Sequence, residues 1–160
     1  MSGSDDLKSL VTDLLAKRRL GWISESDAVA RAQDALAEGH DSVHLRILAG
    51  LPRLANPFEV DAEIEAVLKE FGWPLLDRNQ SVLWLLQRTA QKILTTDMDV
   101  DVGATTVYRL AQVLGDSTVL HDWSLICDDL HPETHEDLTS DRLSEVVHEF
   151  ARKLLERHSV

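Results

Sequence analysis

The sequence predicts an all-α protein, a single compact bundle of seven or eight helices. Three observations predict it. Apolar residues recur at three- and four-residue steps along most of the chain. Glycines and prolines fall between those runs and not inside them. Strict polar–apolar alternation occurs in one short stretch, residues 98–102, which is the only candidate strand. The length of 160 residues and a hydrophobic content of 44% suit one domain, residues 1–160, large enough to bury a core without disulfides.

The elements follow in order. Leu7, Leu10, Val11 and Leu14 form a first helical stripe, closed by Gly21. Ser24 is placed to cap a second helix with Val29, Ala32 and Leu36 inward, ended by Gly39. Asp41 is the candidate cap of a short third helix over residues 42–50. Asn56 followed by Pro57 reads as a cap and a first-turn proline. The helix behind it would bury Val60, Ile64, Val67, Leu68 and Phe71, and Gly72 would end it. Asp77 or Asn79 starts a fifth helix with Leu83, Leu86, Ala90, Ile93 and Leu94 inward, widened by Trp84 and Leu85. A sixth uses Val107, Leu110, Ala111 and Leu114 and stops at Gly115. A seventh uses Leu120, Trp123, Cys127 and Leu130. Ser140 would cap the last, with Leu143, Val146, Val147, Phe150 and Leu154 on one face.

Net charge is −12, and it is regional. Residues 97–141 hold eleven Asp or Glu against one basic residue, Arg109. Such a region repels nucleic acid and anionic lipid and attracts basic partners. Residues 104–118 share a small residue, an amphipathic helix and a Leu-Gly stop with helix-turn-helix repressors, but Arg109 alone is left to meet phosphate. No apolar run approaches the length of a membrane span, the longest being residues 82–86. The N-terminus has no basic start and apolar run of the secretory kind. With a single cysteine, Cys127, this places the expected location in the cytoplasm.

Asp97, Asp99, Asp101 and then Gly103 resemble the opening of a calcium loop. The EF-hand needs glycine at its sixth position and a bidentate glutamate at its twelfth. Counting from Asp97, those positions are Val102 and Tyr108, so the motif fails and an acidic connection remains. His40 and His44, and His131 and His135, are each four apart, but spacing fixes no third metal ligand. Glu145 and His148 give Glu-x-x-His once, where a di-iron bundle needs it twice. Cys127 falls on an apolar stripe, which suits a buried hydrophobe better than a nucleophile. No hydrolase elbow, phosphate loop or dinucleotide fingerprint is present. Trp22 and Trp73 follow glycines at helix ends and read as core anchors that stay partly exposed.

Gly39, Asp41 and Ser42, then Leu45, Arg46, Leu48, Ala49, Gly50 and Leu51, form a turn followed by Leu-Arg-x-Leu-Ala-Gly-Leu. This stretch resembles a segment of small bacterial helical proteins, some of which resemble immunity proteins that guard cells against toxins. The resemblance covers residues 38–74 and carries no catalytic residue; Arg46 within it is suited to holding nearby carbonyls or carboxylates.

The expected function is a non-catalytic acidic binding protein without a cofactor, an immunity or inhibitor protein for a basic toxin. The carboxylates expected to meet it are Asp97, Asp99, Asp101, Asp128, Asp129, Glu133, Glu136 and Asp137. Two other readings stand beside it. One is a metal-dependent helical enzyme built on His121, His131 and His135; the other is a self-associating regulatory or scaffold protein.

Overall fold

A computed structural model describes residues 2–95, 98–115, 121 and 140–158. Among these residues the protein is all-α, with seven helices and no strand. They are α1 (Ser2–Arg19), α2 (Glu25–Ala37), α3 (Val43–Ala49), α4 (Pro57–Glu70), α5 (Arg78–Leu94), α6 (Val100–Leu114) and α7 (Ser140–His158). The helix expected around Leu120, Trp123, Cys127 and Leu130 lies outside the described residues. The chain divides into two compact units, Met1–Ser81 and Val82–Val160, with the boundary inside α5.

In the first unit, α4 packs on α1, α2 and α3, and α2 packs on α3. The core joins Leu7, Val11, Leu14 and Leu15 of α1 to Leu45 and Leu48 of α3 and to Val60, Ile64, Val67 and Leu68 of α4. Alanines of α2 (Ala28, Ala32 and Ala35) let that helix lie close. Trp73 and Leu76 cover the edge of this core.

The caps set where each helix begins and ends. Ser24 accepts from the Asp27 N–H at 3.2 Å, and Asn56 from the Phe58 N–H at 2.9 Å. The cap of α3 is Ser42, not Asp41: its extended backbone aims the hydroxyl at the Leu45 N–H, 3.0 Å away. Asp41 instead pairs with Arg46 at 3.2 Å. Asp77 and Gln80 form a reciprocal capping box at the start of α5, with bonds of 2.8 and 2.9 Å. At the end of α4, Gly72 takes φ +68°, and the Trp73 N–H reaches back to the Leu68 carbonyl at 2.8 Å. The chain therefore leaves the helix at Phe71, whose ring was expected inside. It is 40% exposed and stacks on Trp73, with ring centroids 4.4 Å apart.

In the second unit, the expected α5 stripe holds at Leu86, Ala90 and Ile93, with Val82 buried in place of Leu83. Val82, Leu85, Leu86, Ala90 and Ile93 are buried together with Thr89, while Leu83 and Leu94 are only half-buried. Ser81, the last residue of the first unit, continues this buried face, and its hydroxyl donates to the Asp77 carbonyl at 2.6 Å. A hydroxyl satisfied within its own helix is tolerated inside. Residues 98–102 do not form a strand. Asp99 caps α6, accepting from the Val102 N–H at 3.5 Å and, through its carbonyl, from the Gly103 N–H at 2.9 Å. α6 buries Ala104, Val107, Leu110 and Ala111 and packs on α7, which buries Val147, Phe150, Ala151 and Leu154.

Candidate docking surface

The eight carboxylates expected to meet a partner fare unequally. Asp97, Asp128, Asp129, Glu133, Glu136 and Asp137 lie outside the described residues. Asp99 and Asp101 are in the second unit, one the cap of α6 and the other in its first turn. Negative charge at the cap suits the helix dipole, so Asp99 has a structural role. Gly103 has a different task from the one a calcium loop would give it. A Cβ at this position would stand 2.5 Å from Cγ1 of Ile93, so the glycine lets α5 and α6 touch.

Among the described residues, no group of three His, Cys, Asp or Glu side chains is arranged to hold a metal. His131, His135 and Cys127 lie outside them, and His121 is exposed. Also among the described residues, no helix is long and apolar enough to cross a membrane.

The first unit uses most of its acidic residues on itself. Arg18, with a side chain only 10% exposed, is the hub. Its Nε donates to Asp61 at 2.6 Å, Nη1 to the Ile23 carbonyl at 3.0 Å and Nη2 to Glu25 at 3.2 Å. The hydrogen bond that Arg18 donates to Asp61, opposed by partial burial, raises the Arg18 pKa. Glu25 is lowered, first by its own backbone N–H and then by Arg18, with partial desolvation opposing. Arg19 meets Glu65 at 3.0 Å, Lys17 meets Asp13 at 2.8 Å, and His44 meets Glu63 at 2.8 Å. Glu70 closes the start of α3, accepting from the N–H groups of Val43 and His44 at 3.2 and 3.3 Å. Desolvation is the largest single influence on Glu70 and pushes its pKa up. The bonds from His44, Val43 and Ser42 together outweigh it and hold the carboxyl below its ordinary value.

This unit also turns two large apolar side chains outward. Leu54 is 95% exposed and Phe58 82%. They flank Asn56 and Pro57, where the chain enters α4, and the turn before them is closed by the Ala55 N–H on the Pro52 carbonyl at 2.9 Å. Two prolines and a capped helix start therefore hold both side chains in water. Large apolar side chains are common at contact surfaces, where they cluster. Sequence periodicity could not find them, because Leu54 is in a turn and Phe58 falls off the α4 stripe. The signal available was Leu-x-x-x-Phe spanning a Pro-rich turn.

Two shallow grooves open on α2. One, of about 330 Å³, is lined by Lys17, Trp22, Ile23, Asp27, Ala30, Arg31 and Asp34. The other, of about 280 Å³, runs from Ser26, Val29, Ala30 and Gln33 to Leu51 and Arg53, the residue before Leu54. They meet at Ala30. Compared with protein-family models, curated proteins and solved structures, the chain matches none.

Proposed function

We propose that the chain is a non-catalytic binding protein for a basic protein, acting in the cytoplasm as an immunity or inhibitor protein against a basic toxin. The observation that carries this reading is the outward pair Leu54 and Phe58, fixed on a proline-braced turn. Such a pair is costly to leave in water, and docking would remove that cost. The net charge of −12 supplies the preference for a basic partner and would speed association at low salt.

Capture from a lysate of the source cells, at low and then high salt, tests the proposal. The expected result is a basic protein held at low salt and released as salt rises. Adding the chain should inhibit that protein's activity, and the Leu54→Ser/Phe58→Ser variant should retain it about tenfold less well. Equal retention by this folded variant, or no basic protein at either salt, would reject the reading.

A further inference from the structure

We infer that Trp84, Arg88 and Lys92, along one side of α5, form a binding site for a phosphate group. The site belongs to the second unit and goes beyond the proposed function, on which it does not rest. The three residues stand four apart on the helix, so successive Cβ atoms are about 6 Å from each other. They lie off the face that buries Val82, Leu86, Ala90 and Ile93, and each is half-buried.

Three observations carry the inference. The first is charge. α5 holds Arg78, Arg88 and Lys92 and no Asp or Glu, in a chain of net charge −12. Lys17, Arg18, Arg19, Arg46, Lys69 and Lys153 each have a carboxylate partner. Among the described residues, no carboxylate pairs with Arg88 or Lys92, although both are partly withdrawn from water. Like charges four apart on a helix repel, and an anion between them would replace repulsion with attraction. The second is a pair of orphaned donors. Nε1 of Trp84 and Nε of Arg88 are shut off from solvent, and among the described residues neither has a hydrogen-bond partner. Buried donors are nearly always paired, and an unpaired one costs free energy that an acceptor recovers. Both orphans are donors beside a positive charge, so they call for an anionic acceptor. The third is geometry. The Arg88 guanidinium carbon lies over the Trp84 ring, 5.9 Å from its centroid. A guanidinium held by its face keeps its N–H edge for an oxyanion, and a small turn of the side chain brings Nε to the same ligand. Two cations and the Trp84 N–H exceed what the single charge of a carboxylate can balance. A phosphate group, with a charge of about −1.5 to −2 at pH 7 and three acceptor oxygens, matches them.

The full chain is titrated with inorganic phosphate at pH 7 and constant ionic strength, followed by NMR. The indole N–H signal of Trp84, identified by its loss in Trp84→Phe, should shift saturably. The signals of Trp22, Trp73 and Trp123 report that the fold is kept. Arg88→Gln should weaken binding about tenfold and Lys92→Gln about fivefold. Lys92→Gln keeps the test open if Arg88→Gln disturbs the fold. Arg88→Lys retains the charge but not the fork, and should fall between Arg88→Gln and the parent chain. Lys8→Gln removes one charge from α1 and should leave binding within about twofold. Acetate should bind about tenfold more weakly than phosphate. A parallel titration with glycerol 3-phosphate separates the sources of the group. Binding at least as tight as that of phosphate shows a site that accepts a phosphate ester; binding of inorganic phosphate alone assigns the site to the free ion. An unmoved Trp84 signal, acetate bound as well as phosphate, or equal weakening by Arg88→Gln and Lys8→Gln would each overturn the inference.

Discussion

Glu70 shows how much one surface carboxylate can organise. It belongs to the last turn of α4, yet its bonds go to the first amides of α3, which would otherwise face water unpaired. Its pKa is lower in the folded chain than the ordinary 4.5. The ionised form is therefore the one that folding favours. The stability it contributes is complete above about pH 4.5 and is lost as pH falls through the lower folded-state value. Thermal unfolding followed from pH 7 to pH 3 should show a decline below about pH 4.5 that is shallower in Glu70→Gln. An equally steep decline would mean that other carboxylates carry the acid sensitivity. Arg18 behaves differently: its raised pKa keeps it charged at every pH where the protein is handled.

Helix by helix, the local chemistry is what the sequence made legible. Ser24, Asn56, Asp77, Gly21, Gly39, Gly72 and Gly115 mark helix ends where their side chains or backbones predict. These signals act over three or four residues, so no knowledge of the fold is needed to read them. Errors arise where the deciding partner is distant or where two local choices tie. Asp41 and Ser42 are both good caps, and the burial of Leu45 and Leu48 selects the second. In α5, Leu86, Ala90 and Ile93 are inward as their spacing predicts, but Leu83 and Leu94 are only half-buried, and Thr89, which hydropathy assigns outward, is inside. Gly103 is the clearest case, since its role depends on Ile93, ten residues earlier on another helix. Gly103→Ala raises helix propensity by up to about 1 kcal/mol, but the new methyl must displace Ile93, at about 1–3 kcal/mol. Net destabilisation of about 1 kcal/mol is expected in urea unfolding. Adding Ile93→Ala should cost less in the Gly103→Ala background than in the parent chain, because the clash is relieved. Strict additivity would show that the two helices do not meet through these residues.

At the scale of the whole chain, the first unit carries its own core. Among the described residues, the buried cluster that runs from Leu7 to Leu68, with Trp73 and Leu76 against it, draws on none beyond position 76. Residues 1–81 should therefore fold alone, with helical circular dichroism and a cooperative thermal transition. A fragment that melts without a transition would show that the unit depends on the rest of the chain. The candidate surface was only partly legible for a related reason. Acidic charge can be counted in a sequence, but whether a carboxylate is available depends on which cation the fold brings to it. Asp61 and Asp34 look alike as letters, and Arg18, 43 residues from Asp61, separates them.

That difference has an evolutionary consequence. Arg18 with Asp61, and Arg19 with Glu65, are joint possessions of two helices, so drift at one member exposes the other to selection. In diverged descendants of this chain these positions should change in step, exchanging sign or vanishing together. Among the described residues, Asp34 and Glu38 have no such partner. Their substitutions should not track those of any cation in the described residues.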